Sequence, residues 1–251
     1  MSTTPRFLVS GPLIAGTSIV LTVAASHHAT RVLRLRDGAR ILVFDGAGQE
    51  AIATLSTDPG HAARVYAQLL EVRAVDREAA TSIAVLQALC AQDKIDWLVE
   101  KCVELGVARI VLFPAERSVV RLEESRRARR EERLREIAIA ASSQCGRTRI
   151  PSVAIVSSMR EAFAPAPSRA PPAVRRWVLD PGSDAGFGAD AADIRDATFA
   201  IGPEGGFTEE ELAQAQSFGF ARLRLGPRVL RTETAGLSAV AALLALRGEF
   251  S

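Results

Sequence analysis

The spacing of apolar residues changes partway along this chain. From Arg6 to about Val75, short strand-like runs at Ser18 to Val23, Ala39 to Phe44 and Ala51 to Leu55 are parted by the turn pairs Asp37-Gly38 and Asp45-Gly46. Alternation interrupted by Asp-Gly is the pattern of tight antiparallel turns, so residues 1–75 are predicted to form a small β-barrel domain. The charged, alanine-rich segment Arg73 to Thr81 follows. Beyond it, longer helical patterns alternate with buried-type strands, which predicts a second domain over residues 76–251.

That second region opens with a predicted strand, Ser82 to Leu89, and a helix from about Lys94 to Leu105 that gathers Ile95, Leu98, Val99 and Cys102 on one face. Gly106 stands where a helix commonly ends in the left-handed conformation. A strand from Arg109 to Phe113 follows, and strand, helix, strand in this order implies a parallel pair joined by a crossover. The predicted helix Glu123 to Ser143 mixes six arginines with Glu123, Glu124, Glu131 and Glu132. That mixture fits either a solvated, salt-bridged face or a contact with an RNA backbone. Pro165 to Pro172 reads as an exposed connection. Further strands are expected at Arg176 to Leu179, Ala197 to Ile201 and Arg222 to Leu225, then a final helix from about Glu233 to Leu246, rich in Ala, Gly and Ser. The fold class is therefore α/β, with a mostly parallel C-terminal sheet behind a small β domain.

Composition narrows the classes. With 251 residues and 48% hydrophobic content, the chain can bury a sizeable core. No apolar run reaches the ~18 residues of a membrane span, and Met1 to Phe7 lacks the order of a secretory signal, so a cytoplasmic protein with no membrane partner is expected. Cys90, Cys102 and Cys145 have no paired spacing, which suggests neither a disulfide framework nor a metal site. The net charge is only +2, yet all but two of the 31 cationic residues are arginine, the side chain suited to bidentate phosphate contact. The two lysines, Lys94 and Lys101, are seven apart and share a helical face.

The most informative segments are two glycine-punctuated loops, each between a strand and a helix: Ile201-Gly202-Pro203-Glu204-Gly205-Gly206-Phe207-Thr208, and Leu225-Gly226-Pro227-Arg228-Val229-Leu230-Arg231-Thr232-Glu233-Thr234. Loops at the carboxyl ends of parallel strands are where an open α/β sheet binds ligands, and glycine lets main chain approach closely. Thr208 with Glu211 forms a capping box, while Glu209 and Glu210 load the helix start with negative charge. A start so charged is a poor phosphate cradle, and there is neither a GK[ST] pair nor GxGxxG spacing. A small ligand other than a polyphosphate fits better. Arg228 and Arg231 beside this cleft suggest that a polyanion meets a small organic cofactor there.

The pair IGPEGGFT and LGPRVLRTETA closely resembles the signature of the small-subunit (16S) ribosomal RNA uridine-N3 methyltransferases, of the SPOUT class. The resemblance extends to His28 with Arg31-Val32-Leu33-Arg34, to Lys94, Lys101 and Glu104-Leu105-Gly106, to Glu116-Arg117-Ser118, and to Gln144-Cys145-Gly146-Arg147. The chain departs from the family pattern at Ser143 and at Asp180-Pro181. The resemblance implies a PUA-like RNA-binding barrel, a C-terminal domain with a deep trefoil knot, a homodimer, and S-adenosyl-L-methionine held by Leu179, Ile201, Gly202, Pro203, Gly205, Gly206, Leu225, Gly226, Val229 and Leu230.

Methyl transfer to uridine N3 needs alignment and removal of a proton. Glu233 is the candidate polar group near the base, Arg231 the candidate stabiliser of charge on the uracil oxygens, and Arg228 a phosphate contact. Arg31, Arg34, Arg117 and Arg147 are the other candidate RNA-binding residues. The expected partner is small-subunit ribosomal RNA or the assembled subunit. Alternatives are a related enzyme acting on another RNA and a noncatalytic RNA-binding assembly factor. No metal is expected.

Overall fold

The computed structural model describes residues 4–58, 61–120, 123–164 and 174–250. The connection expected at Pro165 to Pro172 lies outside them. Contacts divide the chain into two compact units, Met1–Glu78 with Ile139–Ile150, and Ala79–Ala138 with Pro151–Ser251.

The first unit is built from β1 (Arg6–Leu8), β2 (Ser18–Val20), α1 (Val23–His27), a π-helical turn at His28–Val32, β3 (Arg40–Phe44), β4 (Gln49–Asp58) and β5 (His61–Ala74). Its five strands lie in the order β1-β3-β4-β5-β2, with β1 parallel to β3 and the other pairs antiparallel. Period-two alternation sends Ile41 and Val43, Ala51, Ala53 and Leu55, and Val65, Ala67 and Leu69 into one core. Two expectations are corrected here. The strand at Ser18 stops at Val20, because the Thr22 hydroxyl accepts from Ala25 N (3.2 Å) and caps α1. Strand β4 is longer than the expected run Ala51 to Leu55, and its partner β5 was not anticipated. Its alternation runs through alanines and a glutamine, which carry little β preference of their own.

Residues 146–148 are tied into this unit by polar contacts. Arg6 donates to the Arg147 carbonyl (3.0 Å), Arg77 to the Gly146 carbonyl (2.8 Å), and the Thr148 hydroxyl to the Val75 carbonyl (2.7 Å). Arg147 itself, expected to face RNA, is only 3% exposed. Its guanidinium grips Glu78, with Nε 3.1 Å from Oε2 and Nη2 on the same carboxylate. A buried fork spent on a carboxylate has no face left for a phosphate, so the RNA assignment of Arg147 is replaced by a structural one.

The second unit contains β6 (Ser82–Ala88), α2 (Gln92–Glu104), β7 (Arg109–Phe113), α3 (Glu124–Cys145, whose last turns group with the first unit), β8 (Ser152–Ile155), α4 (Met159–Phe163), β9 (Arg175–Leu179), β10 (Asp196–Ile201), α5 (Glu209–Ser217), β11 (Ala221–Leu223) and α6 (Thr232–Leu246). The six strands form one all-parallel sheet in the order β11-β9-β10-β6-β7-β8. The chain runs outward from β6 through β7 to β8, then resumes on the other side of β6. That reversal creates a crevice at the strands' carboxyl ends, where β6, β9, β10 and β11 all point the same way.

Helix α2 buries Ile95, Leu98, Val99, Cys102 and Val103, and ends before Gly106 at φ +82°, as its sequence pattern requires. Helix α6 packs on α2, β6 and β10. Its close approach depends on Gly236, where a Cβ would lie 3.2 Å from Ile201 Cδ1. Among the described residues no helix is long and apolar enough to cross a membrane.

Removing the Arg147 side chain leaves the half-enclosed Glu78 carboxylate without its counter-charge, a loss of about 3 kcal/mol or more. Arg147→Met is therefore expected to lower the urea unfolding midpoint markedly. A variant of unchanged stability would contradict the structural assignment.

Candidate active site

Parallel register sets the site. Ile201 pairs with Gln87 across β10 and β6, and Leu223 with Leu179 across β11 and β9, so the segments that follow these strands emerge side by side. They enclose a cavity of about 630 Å³ within the second unit, inside the ~300–1,000 Å³ span of small-molecule sites. Of the residues that the resemblance assigns to the cofactor, Leu179, Ile201, Gly202, Pro203, Gly205, Gly206, Leu225, Val229 and Leu230 line it, while Gly226 turns the chain between Leu225 and Arg228 without lining it.

The two glycine loops are joined by a buried polar junction. The Thr232 hydroxyl donates to the Gly202 carbonyl (2.5 Å) and accepts from Gln87 Nε2 (2.8 Å), while the same amide nitrogen reaches the Ala88 carbonyl at 3.0 Å. Gln87 is fully buried. The end of β6, the first loop and the start of α6 are thereby fixed to one another. Within the first loop, Gly206 N closes a turn onto the Pro203 carbonyl (2.9 Å). A Cβ on Gly202 would sit 3.2 Å from the backbone of Gly206 and Phe207, and Gly206 and Gly226 hold φ near +70°. The cavity is therefore walled by main chain, and side chains in these places would fill or distort it.

The charged groups sit at one side. Lys94, near the start of α2, reaches Glu204 Oε1 at 2.9 Å and Glu233 Oε2 at 3.5 Å. Lys94 lines the cavity, and its pKa is raised, first by the hydrogen bond to Glu204. Burial alone would raise the Glu204 carboxyl, but the Lys94 hydrogen bond and backbone N–H groups outweigh it and hold the group below its usual range. The Glu233 side chain is 13% exposed, and its Oε2 is buried, facing the Lys94 ammonium at 3.5 Å with no closer hydrogen bond among the described residues. Lys94 is the partner of Glu233 because α2 packs on α6, a long-range contact that no local spacing reveals. Cys90 beneath this cluster is inert, its thiol pushed up to about 12 by burial and then by Glu204.

The start of α5 confirms the capping box: Glu211 N donates to Thr208 Oγ1 (3.2 Å) and Thr208 N to Glu211 Oε2 (2.9 Å). With Glu209 and Glu210 also in its first turn, the positive end of this helix is already neutralised and offers nothing to a polyphosphate.

Arg228 and Arg231 line the cavity and are exposed. Arg117 touches the first loop from outside, donating to the Gly205 carbonyl (3.0 Å), with its stem packed where a Gly205 Cβ would lie. Arg31 and Arg34 belong to the first unit; both are exposed, and Arg34 holds a left-handed φ of +53°. Asp180, a position of departure from the family pattern, also lines the cavity, its carboxylate accepting from Gly182 N (2.9 Å) and facing Arg222 at 3.4 Å. Sequence reasoning missed Gln87 and Thr232 as site-builders. A lone glutamine at the end of an apolar strand was the available signal.

Residues 77–244 match the family described as RNA methyltransferase domain, and residues 21–65 the family described as RNA methyltransferase PUA domain. The chain belongs to this RNA methyltransferase family. Among its relatives, the protein named ribosomal RNA small subunit methyltransferase E of Bacillus subtilis is 30% identical over 224 residues, covering 86% of each chain. The solved ribosomal RNA small subunit methyltransferase E of Neisseria gonorrhoeae, bound to S-adenosyl methionine, is 34% identical with a TM-score of 0.88, covering 99% of this chain and 100% of that one. A Legionella pneumophila protein solved with bound SAM is 30% identical, also with a TM-score of 0.88, over 97% and 98% of the two chains.

Thr232→Val keeps the shape of the side chain and removes its hydroxyl, leaving Gln87 Nε2 and the Gly202 carbonyl short of partners in a dry interior. The expected cost is about 1–3 kcal/mol, read from urea unfolding. An unchanged stability would show that the junction does not hold the loops.

Proposed function

We propose that the protein methylates N3 of a uridine in small-subunit (16S) ribosomal RNA, with S-adenosyl-L-methionine as donor. The observation that carries the reading is the cavity itself: main-chain walls from two glycine loops, a neutralised helix start that rejects phosphates, and a lysine between two carboxylates at its side. The cavity's volume and its glycine-cleared walls fit a bent nucleoside-amino acid. Ile201 to Gly206 and Leu225 to Leu230 would hold it through backbone and apolar contact, with Leu179 at the end of β9. When bound, S-adenosyl-L-methionine supplies an electrophilic methyl group on a sulfonium.

The remaining tasks fall to the chain's own side chains. Uridine N3 carries a proton that must leave as the new bond forms, and Glu233, whose buried Oε2 has the Lys94 ammonium at 3.5 Å and no closer hydrogen bond among the described residues, is the group to take it. Lys94 faces Glu233 and Glu204 together and holds both carboxylates in place. Arg231 stabilises negative charge gathering on the uracil oxygens, and Arg228 holds a neighbouring phosphate. Arg117 braces the glycine loop at Gly205 and presents its charge beside it. The exposed Arg31 and Arg34 of the first unit extend the RNA contact, that unit (residues 1–75 in outline) serving as the RNA-binding domain and residues 76–251 as the catalytic one.

The reading includes a homodimer. Trp97, Val229, Leu246 and Phe250 are 44–79% exposed in the second unit, apolar surface that a second copy would cover. It also includes a cytoplasmic setting, where ribosomal RNA or the assembling subunit is met, and passage of the α6 segment through a knot after the crossover from β11.

Unmodified small subunits incubated with labelled cofactor are expected to yield 3-methyluridine on nucleoside mass spectrometry. A 2′-O-methylated nucleoside would point instead to a related enzyme of another target, and no product to an assembly factor. Glu233→Gln is expected to slow single-turnover methylation by roughly 10²- to 10⁴-fold, while S-adenosylhomocysteine binds within twofold of wild type. Full-rate methylation by that variant would remove Glu233 from the mechanism.

A further inference from the structure

We infer that a groove along α3, separate from the cofactor cavity, docks the phosphodiester backbone of the RNA substrate, with the Arg130 guanidinium as its fork. The inference rests on the proposed RNA substrate and adds a binding surface to it. The groove measures about 990 Å³ and is lined by Arg126, Arg129, Arg130 and Arg133 of α3 and by Gln92 of α2. Positions 126, 129, 130 and 133 fall at i, i+3, i+4 and i+7, a single stripe on the helix.

The partners of these arginines set two of them apart. Arg126 is paired with Glu123 (3.3 Å) in a pair open to water that contributes little, and Arg133 with the largely covered Asp96 (2.6 Å). Arg130 differs, because its Nε and Nη2 are buried and have no hydrogen-bond acceptor. A desolvated guanidinium with two idle N–H groups is costly to leave unmatched. Burial pulls its pKa below the ordinary arginine value, with Asp96 opposing; that carboxylate bonds Arg133 through Oδ2, and its buried Oδ1 makes no hydrogen bond to Arg130. Arg129 is exposed beside it, and no ion pair engages it among the described residues. Two adjacent N–H groups in a fixed plane suit two oxygens of one phosphate.

A polyanion explains the extent of the stripe better than a free phosphate does. From Arg126 to Arg133 the helix advances roughly 10 Å, more than one phosphate can bridge. Glu132 and Glu136 also line the groove, so its field is mild and its contribution is register rather than bulk attraction. Its place suits that task. Gln92 lines the groove and Lys94, two residues on in the same first turn of α2, lines the cofactor cavity. The groove and the cavity thus both border the start of α2.

The test compares the full-length wild type with Arg129→Gln/Arg130→Gln and with Arg130→Lys, using unmodified small-subunit ribosomal RNA transcribed in vitro as the probe. The double variant is expected to bind about tenfold more weakly, and its slope of log affinity against log salt should fall by about 1.4, the value for two single-strand phosphate contacts. Arg130→Lys keeps the cation and loses the fork, so it should weaken binding severalfold at an unaltered slope. S-adenosylhomocysteine affinity, read by calorimetry, should match wild type in both. Equal RNA affinity and slope in both variants would overturn the inference, as would unchanged RNA affinity accompanied by a shift in oligomeric mass on light scattering, which would make the groove a protein contact. A wild type that binds this RNA through Arg130 but methylates nothing would refute the proposed reaction and leave the groove standing.

Discussion

The buried bond from Thr232 to the Gly202 carbonyl, backed by Gln87, is the constraint on which the site depends. A parallel sheet brings its loops to one edge but does not hold them in register with each other. Here a strand-end amide, a helix-start hydroxyl and a glycine carbonyl interlock away from water. In that setting an unmade hydrogen bond costs more than a made one contributes, so the arrangement tolerates few alternatives. The glycines do the complementary work of clearing space, since Gly202 admits the returning backbone of Gly206 and Phe207, and Gly236 lets α6 come down onto Ile201.

Charge is distributed with the same economy. The start of α5 is saturated by its own carboxylates, which removes an anion site from the cofactor cavity. Lys94 crosses from α2 to hold Glu204 closely and the buried Oε2 of Glu233 at the longer distance of 3.5 Å. The arginines that remain are sorted by burial: Arg147 is consumed by Glu78 inside the first unit, whereas Arg228 and Arg231 stay open beside the cavity. A count of arginines along the sequence could not separate these fates, because burial is a property of the fold.

Much of the second unit was legible in the chain. The apolar face of α2, its stop at Gly106, the Thr208–Glu211 box and the two glycine loops follow from local rules, and the structure bears them out. The first unit was read less well. β5 has the right alternation but weak residues for it, and the run at Ser18 was cut short by a threonine acting as a cap. What local pattern could not supply were the long-range pairings, Lys94 with Glu233 and Gln87 with Thr232, each across a large separation in sequence. Their residue types are ordinary, and only the parallel register that sets Gln87 beside Ile201 makes them part of a site.

The central claim is that the two glycine loops jointly enclose the methyl donor. Hydrogen exchange of the full chain with and without saturating S-adenosylhomocysteine tests it most directly. The account predicts strong slowing at the amides of residues 201–206 and 225–230 together, with the hairpin of β4 and β5 unaffected. Slowing of only one loop, or protection centred elsewhere in the chain, would contradict it.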